Sequence, residues 1–476
     1  MKNWILLILL FTGCSGILIA QTGPAEKWNY HAGGSKSEQA VFVLECTDGG
    51  SLLVGSTSSN DGMVSGNHGS LDAWIVKRRA NGTSEWQFCF GTSYNDRAMQ
   101  AVEVNDGYVI VGQKDNDAWV FKISKTGGLI WEKTYPTGTL ATSALFAIRK
   151  KSDGTFLVGG HINHNISGNA MIWNISSTGV LIHGLSFTIG YTIHEIRLTS
   201  DGNILIMGDY NEREEGCYPN SEVPCYSNLW LAKVTPSFQI IWSKYYGGST
   251  CDLFVDGEMN ANNEIYLLGR TYCKGNITGP NNIGGNWPDV QFTWLAKVNP
   301  NGVLQNAIIV SSNPFYLDHT ADFYCVTADC KGFPVIGGIG GGFLGTSPLI
   351  EKYHSDLSQI VWVSETTLSQ SDFRTLLDIQ FTSEASYLAC GKWNDGDDDY
   401  FILKTEKDPD CAGSGNKCQN ITPLSCGQTY AGNTAGRNSA FGISDLGTCH
   451  SSANPFTAGD QLFEIYKPNN NGDLVI

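Results

Sequence analysis

The chain is poor in charge, and poorest in positive charge. Charged residues make up 16% of its 476 positions, and 30 lysines and arginines face 46 acids, for a formal net charge of −16. Phosphate binding needs a stripe of clustered cations, so this balance excludes nucleic acid as a partner. Long apolar runs are absent after residues 5–11, so no later stretch reaches the ~20 residues that a membrane-spanning helix requires. Long capped stretches of period 3.6 are missing as well, which argues against helices. Neither H-E-x-x-H nor G-x-S-x-G occurs, which removes the zinc-protease and nucleophile-elbow signatures. Gly340, Gly342 and Gly345 match G-x-G-x-x-G, but no helical pattern follows them, and a dinucleotide site needs one.

What the chain has instead is repetition. A short apolar phrase ending in glycine returns seven times, at Gly55, Gly112, Gly159, Gly208, Gly269, Gly337 and Gly391. The spacing runs from 47 residues (Gly112 to Gly159) to 68 (Gly269 to Gly337). Self-similarity at this period marks a repeat architecture, often a propeller. A turn precedes the phrase, as in Asp48-Gly49-Gly50 and Ser200-Asp201-Gly202. Asp-Gly between apolar runs favours tight hairpins. A polar loop of variable length follows. Next comes an aromatic with lysine three residues on: Trp74/Lys77, Trp119/Lys122, Trp230/Lys233 and Trp294/Lys297, with looser copies at Leu349/Lys352 and Phe401/Lys404. The third repeat has Met171 and Asn174 there. A second glycine turn leads into a fourth strand that starts near Trp86, Trp131, Trp242 or Trp362. Each unit therefore reads as four short strands, a propeller blade.

The seventh repeat lacks its fourth strand. The segment from Trp28 to Gly34 is similar to the one from Trp242 to Gly248, so the N-terminal strand is expected to pair with residues 387–404 and close the ring. Closure removes the open edges that invite aggregation. The fold class is all-β: a seven-bladed β-propeller over residues 21–407, closed by the N-terminal strand, followed by a linker at 408–417 and an incomplete β-sandwich at 418–476.

Residues 1–20 have the order of a secretory signal peptide, with Lys2, an apolar run and small residues before Ala20. Phe11-Thr12-Gly13-Cys14 also loosely resembles a lipoprotein box, which would lipidate Cys14. In an exported chain, nearby cysteines are expected to form disulfides: Cys217 with Cys225, Cys325 with Cys330, and Cys251 with Cys273. Cys390 lies in an expected buried strand and reads as a small apolar filler.

Two resemblances follow from these motifs. Residues 48–69 with Asp72, Ala73, Trp74 and Lys77 carry the fullest match, and the repeats as a whole resemble the secreted propeller proteins of bacteria that use type IX secretion. That implies a secreted or cell-surface protein. The C-G-x-T-x-x-G-x-T phrase from Cys426 to Thr434, with the later Phe463-Glu464-Ile465-Tyr466 strand, resembles the first half of a pre-peptidase C-terminal-type sandwich. A sandwich cut at Ile476 leaves an apolar face uncovered, so the natural product is expected to continue.

Function is expected on the face that carries the long loops, 56–71, 209–227, 270–291 and 392–398, because a rigid scaffold holds adaptable segments there. A phrase Gly-x-Ser-x-x-acid opens several inner strands and ends in Glu38, Asp96 and Asp252. These acids read either as a ring of carboxylates able to hold Ca²⁺ or a sugar, or as caps on neighbouring turns. Tyr272, Trp287 and Trp393 are candidate sugar-stacking rings. Asp395, Asp397 and Asp399 have calcium-loop spacing, but Tyr400 stands where the loop needs glycine. His161 and His164 lack a third ligand. The candidate binding residues are Asp96, Asp252, Tyr272, Trp287, Trp393 and Asp395. No catalytic residue and no cofactor is read from the sequence, apart from calcium as an option. The partner read from these features is an extracellular glycan or protein, bound by a secreted or surface-anchored monomer. The alternatives are a polysaccharide-active enzyme with carboxylates at the propeller mouth, and an accessory domain of a longer secreted protein.

Overall fold

The computed structural model describes residues 21–136, 142–162, 169–187, 190–210, 228–247, 252–271, 292–310, 321–342, 345–365, 373–394 and 396–411, and two short strands at 431–432 and 474–475. The chain divides into two units, Met1–Gly415 and Asn416–Ile476. The first is a seven-bladed β-propeller. In the second, Ala431–Gly432 pairs antiparallel with Leu474–Val475.

Each blade is an antiparallel sheet of four strands laid out from the centre to the rim. The inner strands are Glu38–Glu45, Asp96–Val104, Ala144–Lys150, Thr192–Leu198, Asp252–Met259, Asp322–Ala328 and Phe373–Phe381. Five blades are separate four-stranded sheets, and the last two are joined through one parallel pair, Thr346 with Phe373. The outer strand of blade 7 is Glu26–Ala32, which pairs antiparallel with Asp398–Thr405 and sets Trp28 opposite Lys404. The ring closes as the sequence predicts. Gln21–Thr22 adds a parallel edge strand to Ile360–Glu365 of blade 6, which the repeat pattern did not reveal.

The recurring residues now have causes. All seven inner strands carry a β-bulge at the same place, for example between Ala40 and Phe42 and between Ile193 and Glu195. A bulge bends and twists its strand, and the neighbouring second strand is drawn close. A Cβ added at Gly55, Gly112, Gly208 or Gly391 would stand 1.9 Å from a backbone oxygen of the inner strand. In blades 3 and 6 the second glycine of a pair, Gly160 or Gly338, occupies that place, with contacts of 1.9 and 2.0 Å. Backbone proximity thus demands a glycine at this place in six blades, while in blade 5 a Cβ at Gly269 would meet the Trp294 ring at 2.5 Å.

The lysine of the third strand has an equally specific partner. It reaches the acid of its own blade's first turn: Lys77 to Asp48 (2.8 Å), Lys122 to Asp106 (2.7 Å), Lys233 to Asp201 (2.6 Å), Lys297 to Glu264 (2.7 Å), Lys352 to Asp329 (2.6 Å) and Lys404 to Glu384 (2.9 Å). In blade 3, where Asn174 replaces the lysine, Asp153 pairs with Lys151 of its own turn. In blades 1, 3 and 4 the turn acid is followed by glycine at positive φ, as at Gly49 (φ 79°), whereas in blade 7 Ala385 takes that conformation (φ 61°). Trp74, Trp119, Trp230 and Trp294 are almost fully buried. Each packs against the preceding blade, so Trp74 meets Tyr400 with ring centroids 4.3 Å apart. A tryptophan buried this way removes roughly 150–250 Å² from water, which makes these residues the main apolar cement between blades.

The expected linker is part of the propeller at its start. Asp408 and Cys411 are fully buried, and the tail is held by Lys352, whose Nζ lies 3.0 Å from Asp408 and 2.9 Å from Asp410. Cys330 forms a disulfide with Cys411, not with Cys325, which is a buried free thiol. Cys325 lies within the inner strand Asp322–Ala328 and Cys330 in the turn that follows it, and the returning tail brings the Cys411 sulfur to Cys330. Cys390 is buried and free, as a filler would be. Cys217, Cys225, Cys251 and Cys273 lie outside the described residues.

Candidate functional site

The acids that open the inner strands serve the blades. Asp96 is fully buried. Its Oδ1 accepts the Asp115 N–H at 2.7 Å, and its Oδ2 accepts both the N–H and the hydroxyl of Thr92. Glu38 accepts from Gly34 N–H (2.8 Å) and from the Thr57 hydroxyl (2.7 Å). Asp252 is likewise buried. Asp96 and Glu38 thus cap turns. Trp393 is not a free platform either. Arg374 lies over its ring at 4.6 Å from the centroid, and His31 meets it with centroids 4.0 Å apart. Tyr272, Trp287 and Asp395 lie outside the described residues.

The charges that do converge were missed by the sequence reading. The residue just past each bulge recurs around the axis: Phe42, Gln100, Ala147, Glu195, Asp256, Cys325 and Asp378. Three of them clamp the next blade by accepting a backbone N–H: Gln100 from Ile148 (2.7 Å), Asp256 from Val326 (2.7 Å) and Asp378 from Val43 (2.8 Å). Glu195 is the centre of a wider network. It accepts from Gln100 Nε2 (2.9 Å), from Arg149 Nη2 (2.8 Å) and from Arg197. The Arg197 guanidinium also donates to both oxygens of Glu258, at 3.0 and 3.1 Å. One guanidinium therefore sits between two carboxylates from adjacent blades. A signal did exist in the sequence. These positions fall twelve or thirteen residues before the close-packed glycine, as from Gln100 to Gly112 and Asp256 to Gly269.

Four acids and two arginines around one axis leave negative charge in excess, and each is only partly exposed. Burial, reinforced by Asp256, Glu258 and Asp378, pushes the Glu195 carboxyl well above the ordinary range. Burial raises Asp256 to about 6 and, with Asp256 close by, Asp378 to about 7. Burial opposes the charge of Arg197, yet the surrounding carboxylates outweigh it and hold the guanidinium protonated.

Glu258 also lines a cavity of about 430 Å³ on the face opposite the long loops. The tight turns of blades 5 and 6 form its walls, with Asn262, Thr327, Lys331 and the disulfide-bonded Cys330, and Phe381 of blade 7 closes one side. Asp329, Cys330 and Cys411 also cluster there, but the two sulfurs are spent on their mutual bond and offer no thiolate to a metal. Among the described residues no helix is long and apolar enough to cross a membrane.

No family model matches this sequence, and no curated protein does. Solved structures resemble it in shape. The Neurospora crassa Pan2 WD40 domain is 11% identical, with 78% of this chain and 90% of that one covered, at a TM-score of 0.49. The polysaccharide lyase Uly1 is 10% identical, with 78% and 90% covered, at 0.47. A puromycin hydrolase mutant is 11% identical, with 80% and 55% covered, at 0.47. Their differing activities say nothing of this chain's chemistry, which has to be read from its own residues.

Proposed function

We propose that this propeller is an exported, non-catalytic binding module for an extracellular glycan or protein, with the turn-side cavity between blades 5 and 6 as its ligand site. The observation that carries this reading is the lining. A carboxylate (Glu258), an ammonium (Lys331), an amide (Asn262), a hydroxyl (Thr327) and an aromatic ring (Phe381) converge on about 430 Å³. A concave site of this size with a few convergent polar groups beside an apolar wall suits a ligand, and an aromatic ring suits the C–H face of a sugar. Export is supported by the signal-like N-terminus and by the Cys330–Cys411 bond, since disulfides persist in oxidising compartments. The resemblances to type IX-secreted propellers and to the pre-peptidase C-terminal sandwich support a cell-surface or secreted location.

The test is a glycan array with the full chain, beside turnover assays on the same sugars and the variants Lys331→Ala and Asn262→Ala. Array signal that falls in both variants, without turnover, supports the reading. Signal untouched by either change ends it.

A second reading rests on a separate observation. Glu195 and Glu258 flank Arg197, and the Glu195 carboxyl is raised. A raised acid beside a second carboxylate is the arrangement of an acid–base pair acting on glycosidic bonds. Turnover abolished by Glu195→Gln would replace the binding reading with this one.

A further inference from the structure

The seam between blades 1 and 2 holds two buried carboxylates that face each other across a glycine. Asp72 begins the third strand of blade 1, and Asp96 begins the inner strand of blade 2. Both side chains belong to fully buried residues. A Cβ built at Gly91 would stand 2.6 Å from Asp96 Oδ2 and 2.9 Å from Asp72 Oδ1, so both oxygens border the space that this glycine leaves open. The far oxygen of Asp72 is taken: Oδ2 accepts the His68 N–H at 3.0 Å and lies 2.6 Å from His68 Nδ1. Its near oxygen, Oδ1, is buried and has no hydrogen-bond partner among the described residues.

Asp96 Oδ2 is held by the N–H and hydroxyl of Thr92, but Asp72 Oδ1 receives no such donor, and a buried carboxylate oxygen facing a second carboxylate without one is electrostatically costly. Burial pushes the Asp72 carboxyl up in spite of His68, and the charge of Asp96 adds to the rise. The arrangement is repeated one blade earlier. At the seam of blades 7 and 1, a Cβ at Gly33 would stand 1.8 Å from Asp399 Oδ1 and 2.6 Å from Glu38 Oε2, and His31 Nδ1 lies 3.2 Å from Asp399 Oδ2. Both seams thus set a histidine on the outer oxygen of a third-strand aspartate and turn the inner oxygen toward an inner-strand acid. The glycine of the Gly-x-Ser-x-x-acid phrase is what keeps the space between them.

We propose that the seam of blades 1 and 2 is a calcium site, with Asp72 Oδ1 and Asp96 Oδ2 among its ligands. A cation between the two oxygens would relieve their mutual repulsion, and hard carboxylate oxygens are the donors that calcium prefers. The site lies on the long-loop face, beneath the loop 56–71 of blade 1, and is separate from the turn-side cavity. Binding there ties blade 1 to blade 2 and fixes the root of that loop.

The experiment titrates the full chain, stripped with EDTA, with CaCl2 by calorimetry and follows thermal unfolding in parallel. Wild type is expected to bind calcium with millimolar or tighter affinity and to unfold at higher temperature as calcium rises. Asp72→Asn is expected to weaken binding at least about tenfold while unfolding in EDTA no earlier than wild type, because its amide donates to Asp96 in place of the ion. Asp96→Asn reports the same loss from the other side. Wild type that neither binds calcium nor changes its unfolding temperature overturns the proposal, with a proton shared by the two acids as the replacement. Calcium binding that survives both substitutions overturns it equally, by placing the ion elsewhere.

Discussion

Val43 of the first inner strand donates its N–H to Asp378 Oδ2 of the last, at 2.8 Å. The propeller is therefore closed twice: at the rim by the backbone ladder of Glu26–Ala32, and near the axis by side chains of the last inner strand, Asp378 on Val43 N–H and Gln380 on Glu45 N–H. Asp378→Ala leaves a buried N–H without its acceptor, at a cost of about 1–3 kcal/mol in chemical denaturation. Asp378→Asn keeps an acceptor oxygen and should lose much less.

The same residue sets a pH dependence. Its carboxyl titrates at about 7 in the fold, above the ordinary 3.8, so the folded state holds the proton more tightly than the unfolded chain. Its stabilising contribution is complete below about pH 4 and declines as pH rises to about 7. Asp256, at about 6, acts in the same direction. Unfolding temperatures of wild type and Asp378→Asn, compared from pH 4 to 8, should diverge across that window, with wild type losing more. Parallel curves would show that the group is not perturbed in the fold.

Lys352 is fully buried among Asp329, Asp408 and Asp410. Burial works against its charge, and the hydrogen bonds to Asp329 and Asp410 overcome it and raise its pKa. Lys352→Met strands buried carboxylates and should destabilise by about 3–5 kcal/mol, read from the denaturation midpoint. The exposed pair Lys151–Asp153 in blade 3 should contribute little, because solvent screens it.

The Cys330–Cys411 bond joins residues 81 apart and fastens the tail across blades 6 and 7. Cys411→Ser should cost about 2–5 kcal/mol. Reducing agent should lower the unfolding temperature of wild type by more than that of the variant.

Gly208→Ala sets a methyl 1.9 Å from the Thr192 carbonyl oxygen, where only backbone can yield. It should cost at least about 1–3 kcal/mol. Gly128→Ala meets nothing closer than 3.5 Å and should fall within about 0.5 kcal/mol of wild type.

Blade number, strand order within a blade and ring closure were legible because they follow from local rules. Alternation, Asp-Gly turns and a glycine at fixed spacing each act over a few residues, and the copy near Trp28 is complete enough to reveal the missing strand. The Lys–acid pairs were half legible. Both partners recur in the repeat, yet only the register of strands one to three shows that they meet. The site was read less well. Asp96 stood out by its motif, but the motif marks a turn cap, and its facing partner Asp72 lies in the neighbouring blade. The Cys325–Cys330 pairing failed because nearness along the chain is not nearness in space.

The sequence alone determined the repeating sheet and its hydrophobic seams, since each blade's pattern is written within about fifty residues. Only the closed ring decided what stands at its centre and between its blades. Gln100, Arg149, Glu195, Arg197, Glu258 and Asp378 come from five different repeats, and their mutual fields exist only once the ring draws them around one axis at low dielectric.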